Sequence, residues 1–328
     1  MSDTSQEPEA DVETDAGGDP APLSVDGAAE VTARIIENVE RVIVGQHDAI
    51  EHILIAMLAR GHLLLEDVPG VGKTMLARAV ATSVDCSFKR VQFTPDLLPS
   101  DVTGVNVFNQ KTSEFEFQPG PIFANVVLGD EINRAPPKTQ AALLEAMEEE
   151  QVTVDGETRA LPDPFVVIAT QNDVESGRTY DLPMAEVDRF MKQLALGYPS
   201  EDEETELLGR VAGRHPIRSL DPVASVTDLR RARRTVDEVD AREPVRNYVT
   251  RLAAHTRESA PLGVSPRGSI TAIRAAQARA VLRGRSFVTP DDVQTELPTV
   301  WSHRIDPGSA APSGRAVVDA ALEEVPVE

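Results

Sequence analysis

The run Leu63-Leu64-Leu65-Glu66-Asp67-Val68-Pro69-Gly70-Val71-Gly72-Lys73-Thr74 constrains this chain more than any other stretch. A short apolar strand breaks into a turn that ends in Gly-Lys-Thr, the pattern of a phosphate-binding loop. Gly70 and Gly72 let the backbone approach a polyphosphate closely, and a helix opening near Lys73 adds N–H groups and the positive end of its dipole. The expected nucleotide contacts are Pro69, Gly70, Val71, Gly72, Lys73, Thr74 and Met75. Lys73 would reach the β- and γ-phosphates, and the Thr74 hydroxyl would ligate Mg²⁺. Asp67 stands where the commonest form of the motif has glycine, and Asp enters left-handed backbone conformations more readily than most residues.

A chain of 328 residues predicts two domains at the usual ~150 residues each. The single cysteine, Cys86, leaves no internal disulfide or cysteine-based zinc site, and it fits a reducing, cytoplasmic setting. The first residues have neither a basic nor an apolar leader segment, and the run Ile53–Ala59 is too short to span a bilayer, so no membrane role is expected. The net charge is −22, from 54 acidic residues against 32 Lys plus Arg, of which five are lysines. Dense carboxylates with few lysines suit multimolar salt, where charges are screened within about 3 Å. The expected source is a halophilic archaeon. Such a proteome is acidic throughout, so the net charge does not exclude nucleic acid, although nucleic acid is not an expected partner.

Residues 1–27 hold eight acidic and no basic residues and read as a disordered tail. From 28 to 199, helical periods alternate with short strands at Leu63–Leu65, Val91–Phe93, Asn125–Leu128, Phe165–Thr170 and Met191–Leu196, an α/β pattern with a parallel sheet. Two β-hairpins interrupt it, at Val105–Phe117 and at Val152–Ala160 around Asp155-Gly156. Residues 200–310 read as a small all-α domain. Asp228 caps one helix there, Pro244 and Pro266 open two more, and Thr289-Pro290 starts a fourth. Residues 311–328 read as a loosely helical or frayed acidic tail.

The strand Val126-Val127-Leu128 ends in Gly129-Asp130-Glu131. Acidic residues at the carboxyl end of a buried strand lie where α/β sheets bind ligands. Asp130 would hold Mg²⁺ through water, and Glu131 would polarise an attacking water, since phosphoryl transfer needs a positioned nucleophile and neutralised charge. The absence of an Asn-Lys-x-Asp signature favours ATP over GTP.

With these motifs in order, the runs VGQHDAIEHILIAML, LLLEDVPGVGKTMLARAVA, FKRVQFTPDLLPSDVTG, GDEINRAPPKTQAALLEAMEE, FVVIATQND and GVSPRGSITAIRAAQARAVLRGR closely resemble the MoxR family of AAA+ ATPases, from about Ile43 to His303. The resemblance implies an αβα ATPase core followed by an all-α lid, with ATP and Mg²⁺ as cofactors. It implies that Asn172 is the sensor that orients the lytic water and that Arg189 is an arginine finger inserted into a neighbouring subunit. Arg267, in Gly263-Val-Ser-Pro-Arg267, matches the lid arginine that feels the γ-phosphate, and Val44 and Gly45 lie against adenine. The hairpins resemble the family's helix-2 insert and pre-sensor hairpin. A homo-oligomeric ring, expected to be a hexamer, and a partner with a von Willebrand factor A domain also follow. Asp173, Arg178, Met184 and Glu186 depart from the family pattern in the loop that faces the neighbour.

The six histidines show no metal-like spacing. The run Arg230-Arg231-x-Arg233-Arg234 reads as a solvated helical face or subunit contact, and Glu148–Glu150 as an exposed helix end. The expected function is Mg²⁺-dependent ATP hydrolysis by a ring that assists assembly or activation of other proteins. The rivals are a motor of a magnesium-chelatase-like or DNA-remodelling complex, and a non-hydrolysing nucleotide-gated scaffold.

Overall fold

The computed structural model describes residues 20–66, 68, 70–171, 180, 182–211, 217 and 220–327. Most of residues 1–27 lies outside that set. The core runs α1 (Val25–Glu40), α2 (His47–Leu58), β1 (Leu63–Glu66), α3 (Lys73–Ser83), β2 (Phe88–Gln92), α4 (Pro99–Thr103), β3 (Gly104–Asn109), β4 (Glu114–Pro119), β5 (Val126–Asp130), α5 (Pro137–Glu149), β6 (Gln151–Val154), β7 (Glu157–Ala160), β8 (Val166–Gln171), α6 (Met184–Val187) and β9 (Lys192–Leu194). Six further helices follow: α7 (Glu201–Val211), α8 (Val226–Asp237), α9 (Glu243–Ser259), α10 (Pro266–Leu282), α11 (Pro290–Trp301) and α12 (Gly314–Glu324).

Five strands pair in parallel in the order β2-β5-β8-β1-β9. The three central strands, β5, β8 and β1, carry continuous apolar runs because both faces are covered, whereas the edge strand β2 carries Lys89, Arg90 and Gln92. Successive side chains alternate between two apolar layers. Leu63, Leu65, Val126, Leu128, Val166 and Ile168 join one, while Leu64, Val127, Val167 and Ala169 join the other. The two hairpins, β3–β4 and β6–β7, form outside this sheet, the second around Asp155 and Gly156, both at positive φ.

The helical region does not keep a core of its own. Trp301, Val300, Val293 and Ala272 belong to the same apolar layer as Ile35 of α1 and Ile50 and Leu54 of α2. α10 packs on both α1 and α2, and α11 packs on β9. Three expectations are corrected here. Residues 311–328 are helical, as one of the two readings had it, but packed and not a loose tail: Ser313 caps α12, whose Val317, Val318 and Ala321 are buried against α9 and α11. The ordered chain reaches back into the supposed tail, with Ser24 capping α1. Ser225, not Asp228, caps α8; Asp228 is the third helical residue, and its carboxylate returns a hydrogen bond to the Ser225 N–H at 2.9 Å in a capping box.

The arginine run on α8 is also spent internally. Arg233 is buried, donating to the Met57 carbonyl at 2.7 Å and to Asp163 at 2.9 Å. Arg230 pairs with the same Asp163 at 3.0 Å, and Arg231 donates to the Ala21 carbonyl at 3.0 Å. A helix face that reads as solvated thus ties α8 to the core.

Candidate active site

The phosphate loop leaves the carboxyl end of β1. Gly70 and Gly72 have φ of +89° and +92°, and a Cβ built on either meets nothing within 4 Å. Glycine is needed there for the backbone conformation, and the open space above the loop is where phosphates fit. Gly72 stands at the N-cap of α3 with no side-chain cap, which leaves first-turn N–H groups for an anion. Lys73 is buried and Thr74 half-buried at the start of this helix. A cavity of 260 Å³ continues from Gly70, Val71 and Gly72 past Met75 to Val44 and Leu196. Its apolar far end suits a purine ring. Gly45, at φ +71°, lines a separate cavity, and a Cβ on it would sit 2.3 Å from the Glu203 carboxylate. Pro69 and Asn172, along with Asp67, Asp173 and Arg178, lie outside the described residues.

Asp130 ends β5, two strands from β1 in the sheet, and Glu131 follows it. The Thr170 hydroxyl, at the end of the intervening β8, donates to Asp130 Oδ1 at 2.6 Å and accepts the Glu131 N–H at 2.8 Å. Arg90 Nε donates to Asp130 Oδ2 at 3.1 Å. Glu131 itself adopts the left-handed conformation, φ +58° and ψ +52°. A non-glycine residue holds that geometry only when its surroundings over-determine it. Its Oε2 accepts from Gln92 Nε2 at 2.8 Å and from Arg134 Nη1 at 2.7 Å.

Sequence reasoning missed Arg90, Gln92, Arg134 and Thr170. For Thr170 the available signal was a polar residue near the end of the apolar run 166–169; Gln92 sits in a strand that already carries Lys89 and Arg90, and only the register, with Gln92 beside Asp130 and Thr170 beside Leu65, brings them to the site.

Arg189 and Arg267 lie at the other end of the sheet. Arg189 precedes β9, which runs parallel to β1, and the Met191 N–H donates to the His62 carbonyl, just before β1, at 2.8 Å. Both arginines line a 690 Å³ cavity with Gly61, His62 and Arg274. The four residues of β1 separate that edge from the phosphate loop by ~13 Å of extended chain. Arg267 therefore keeps company with Arg189 and not with its own phosphate loop. Glu148 joins them, with Oε1 2.8 Å from Arg267 Nη1 and Oε2 3.2 Å from Arg189 Nη1. Glu148 is the exposed helix end that the sequence indicates, at the close of α5 and ahead of the β6–β7 hairpin, and its ion pairs with the two arginines add to that reading.

Among the described residues no group of three or more His, Cys, Asp or Glu could hold a metal by itself. His62 shows what the buried histidines do: Nδ1 accepts the Val167 N–H at 3.0 Å, and Nε2 donates to the Met147 carbonyl at 2.9 Å. No described helix is long and apolar enough to cross a membrane.

A parallel sheet with a phosphate loop after one strand, an Asp-Glu pair after another and a helical lid beside it defines a P-loop ATPase of the AAA+ class. Comparison with known proteins agrees. The ATPase family associated with various cellular activities (AAA) matches residues 62–192, and the AAA lid domain matches residues 252–325. YeaC of Bacillus subtilis is 54% identical over 274 residues, covering 83% of this chain and 86% of its own. Chaperone MoxR1 of Mycobacterium tuberculosis is 41% identical over 291 residues, covering 85% and 77%. The crystal structure of an ATPase candidate from Cytophaga hutchinsonii superposes with a TM-score of 0.87 at 36% identity, covering 93% of this chain and 97% of that one. The chain belongs to the MoxR family of AAA+ ATPases.

Proposed function

We propose that this ATPase works as a Mg²⁺-dependent homo-oligomeric ring, hexameric by family resemblance, in which each nucleotide site is completed by the adjacent subunit. One chain supplies the phosphate loop with Lys73 and Thr74, the base pocket with Val44, and Asp130 and Glu131. Its neighbour supplies Arg189 and Arg267. The observation that carries this reading is the division between Gly70–Thr74 and Asp130–Glu131 at one end of the sheet and the two arginines at the other.

The Thr74 hydroxyl and the Asp130 carboxylate are the groups that would hold Mg²⁺, directly and through water. Hard oxygen donors with a single carboxylate fit an ion that keeps waters and shares substrate phosphates. Bound there, the ion neutralises charge on the β- and γ-oxygens. Glu131 polarises the attacking water, and Asn172 orients it. A guanidinium supplied by the neighbour spreads over the equatorial oxygens and is typically worth about 10³–10⁵ in rate.

The biological role we assign is chaperone-like action on other proteins, a role that the name of the Mycobacterium tuberculosis relative carries. We further propose a separate von Willebrand factor A domain protein that docks on the ring in an ATP-dependent way. Capture with Glu131→Gln in ATP and in ADP tests it, and equal recovery in both states argues against such control. The acidic, lysine-poor surface we read as salt adaptation, and the lone thiol fits a cytoplasmic setting.

The direct test of the divided site is complementation. Arg189→Ala and Glu131→Gln subunits should each be nearly inactive alone, and exchanging mixtures should regain turnover because some interfaces pair an intact Glu131 with an intact Arg189. A mixture no faster than its components removes the support for a finger acting between subunits.

A further inference from the structure

Arg304 ends the short 3-10 turn Ser302–Arg304 after α11 and is almost wholly buried. Its Nε donates to Asp188 Oδ1 at 2.8 Å. Nη2 donates to the Asp188 carbonyl at 3.0 Å and to the Phe190 carbonyl at 2.6 Å. Nη1 donates to the Met191 carbonyl at 3.1 Å and to the carbonyl of Val300. All five N–H donors of one guanidinium thus have acceptors, four of them on residues 188, 190 and 191. Arg189 lies between those residues and extends its side chain to Glu148.

The turn that carries Arg304 is tied to the helix that carries Arg267, through Trp301 and the Arg304 stem. Trp301 Nε1 donates to the Gly268 carbonyl at 2.9 Å, and a Cβ on Gly268 would come within 3.2 Å of Arg304 Cδ and 2.7 Å of Val264 Cγ1. Glycine next to Arg267 is what lets the Arg304 stem pass. The bond from Arg304 to Asp188 also keeps that carboxylate near Arg267, whose Nε is 3.9 Å from Asp188 Oδ2.

From this clamp we infer that Arg304 is a positioning residue for the ATPase reaction: it fixes the Arg189 loop against the start of α10, so that Arg189 and Arg267 are presented to the neighbouring nucleotide as one rigid pair. The inference rests on the divided-site reading above. Arg304 touches no reacting atom; its part is geometric. Its planar fork meets backbone carbonyls on both sides of Arg189, and lysine, with three donors on a flexible stem, cannot reproduce that. Burial pushes the guanidinium down to about 10, which leaves it charged near neutral pH, and Asp188 supports the charge. A misplacement of about 1 Å in such a pair can cost ~10²-fold in rate.

The test uses the full chain with Arg304→Lys, with Arg189→Ala in parallel. Arg304→Lys should bind a fluorescent ATP analogue as the parent does, since its own phosphate loop is at the far end of the sheet. Its kcat should fall about 10–100-fold with KM little changed. Mixing with Glu131→Gln should restore turnover, because the intact site of the Arg304→Lys subunit then meets an undisturbed Arg189. Unchanged kcat overturns the inference. So does a low kcat that Glu131→Gln does not rescue while it rescues Arg189→Ala, because the defect then belongs to the whole subunit. Failure to rescue Arg189→Ala itself overturns the divided site, and the clamp with it. If Arg304→Lys does not fold, Asp188→Asn, which weakens the acceptor of Arg304 Nε and removes the negative charge beside Arg267, is read by the same mixing and should show a smaller, rescuable loss. A loss that mixing does not rescue, or no loss, overturns the inference there too.

Discussion

Gln92 Nε2 donates to Glu131 Oε2 at 2.8 Å, so the residue proposed to polarise water is held by the last side chain of the neighbouring strand. Arg134 takes the same oxygen at 2.7 Å. Both bonds fall on Oε2, so they resist any turn of the carboxylate towards a water above the phosphate loop. A hydrogen bond to a carboxylate is worth about 1.5–3 kcal/mol when both partners stay in place, and less at an exposed site. Gln92→Ala should therefore raise basal turnover about two- to fivefold without changing ATP affinity, as measured by steady-state hydrolysis and equilibrium nucleotide binding. A fall in turnover would mean that Gln92 aligns the carboxylate and does not restrain it.

Lys73→Ala and Glu131→Gln should separate binding from chemistry. Lys73 is buried at the start of α3 beside the open loop, and its removal should abolish detectable nucleotide binding. Glu131→Gln keeps the shape and the loop, so it should retain ATP and lose turnover by at least ~10²-fold. Titration with labelled ATP and a single-turnover assay check the pair, and equal loss of binding in both would sink the assignment.

Lys192 in β9 and Glu296 in α11 form an ion pair with no exposed surface. His52 Nδ1 lies 2.8 Å from the ammonium, and Arg279 Nε donates to Glu296 Oε1 at 2.8 Å. Burial lowers the Lys192 pKa, and Glu296 opposes that shift. Lys192→Met should cost about 3 kcal/mol in chemical denaturation, the lower end for breaking a buried pair, because Arg279 still neutralises the carboxylate that is left. Glu296→Gln should cost more, since it strands two cations.

Acid should destabilise the fold through its buried histidines. His62 is fully buried and neutral, its pKa pushed down to about 4 by burial, and His52 is pushed down to about 2. Both are depressed from 6.5, so the unfolded chain binds more protons below that value. The stability they contribute is complete above pH ~6.5 and is lost for His62 as pH falls from there towards about 4, a window worth roughly 3 kcal/mol. His62→Gln should flatten the pH dependence of unfolding in that window, at some cost in stability at neutral pH. An unaltered slope would place the acid sensitivity elsewhere.

What the sequence disclosed and what it hid divide by distance along the chain. The parallel strands, both hairpins and the Thr289-Pro290 helix start were readable because each depends on neighbours a few residues away: alternation, a turn pair, a cap. That Asp130 and Glu131 stand at the end of a buried strand was readable because a strand's end is itself a local feature. Glu148 was readable as an exposed helix end, but its pairing with Arg267 was not, since that partner is 119 residues on. The arginines of α8 looked solvated for a similar reason: Arg233 meets a carbonyl 176 residues earlier. α12 looked frayed because its acidic end masks three buried residues that matter only once α9 and α11 are in place. Periodicity reports which face of a helix is apolar; it does not say which polar groups on the other face will find partners.

The apolar layer that runs unbroken from β1 and β5 through α1 and α2 into α10, α11 and α12 bears on how this chain comes apart. Severing it near Pro199, where the sequence changes character, would leave two pieces that each bare the flank the other had covered, and neither would stay soluble. A protease would find no seam there to widen. Heat should accordingly melt the ATPase sheet and the helical lid in one cooperative step, and deleting α1 should lower the melting point of both together, although α1 lies outside the span of either matched family region.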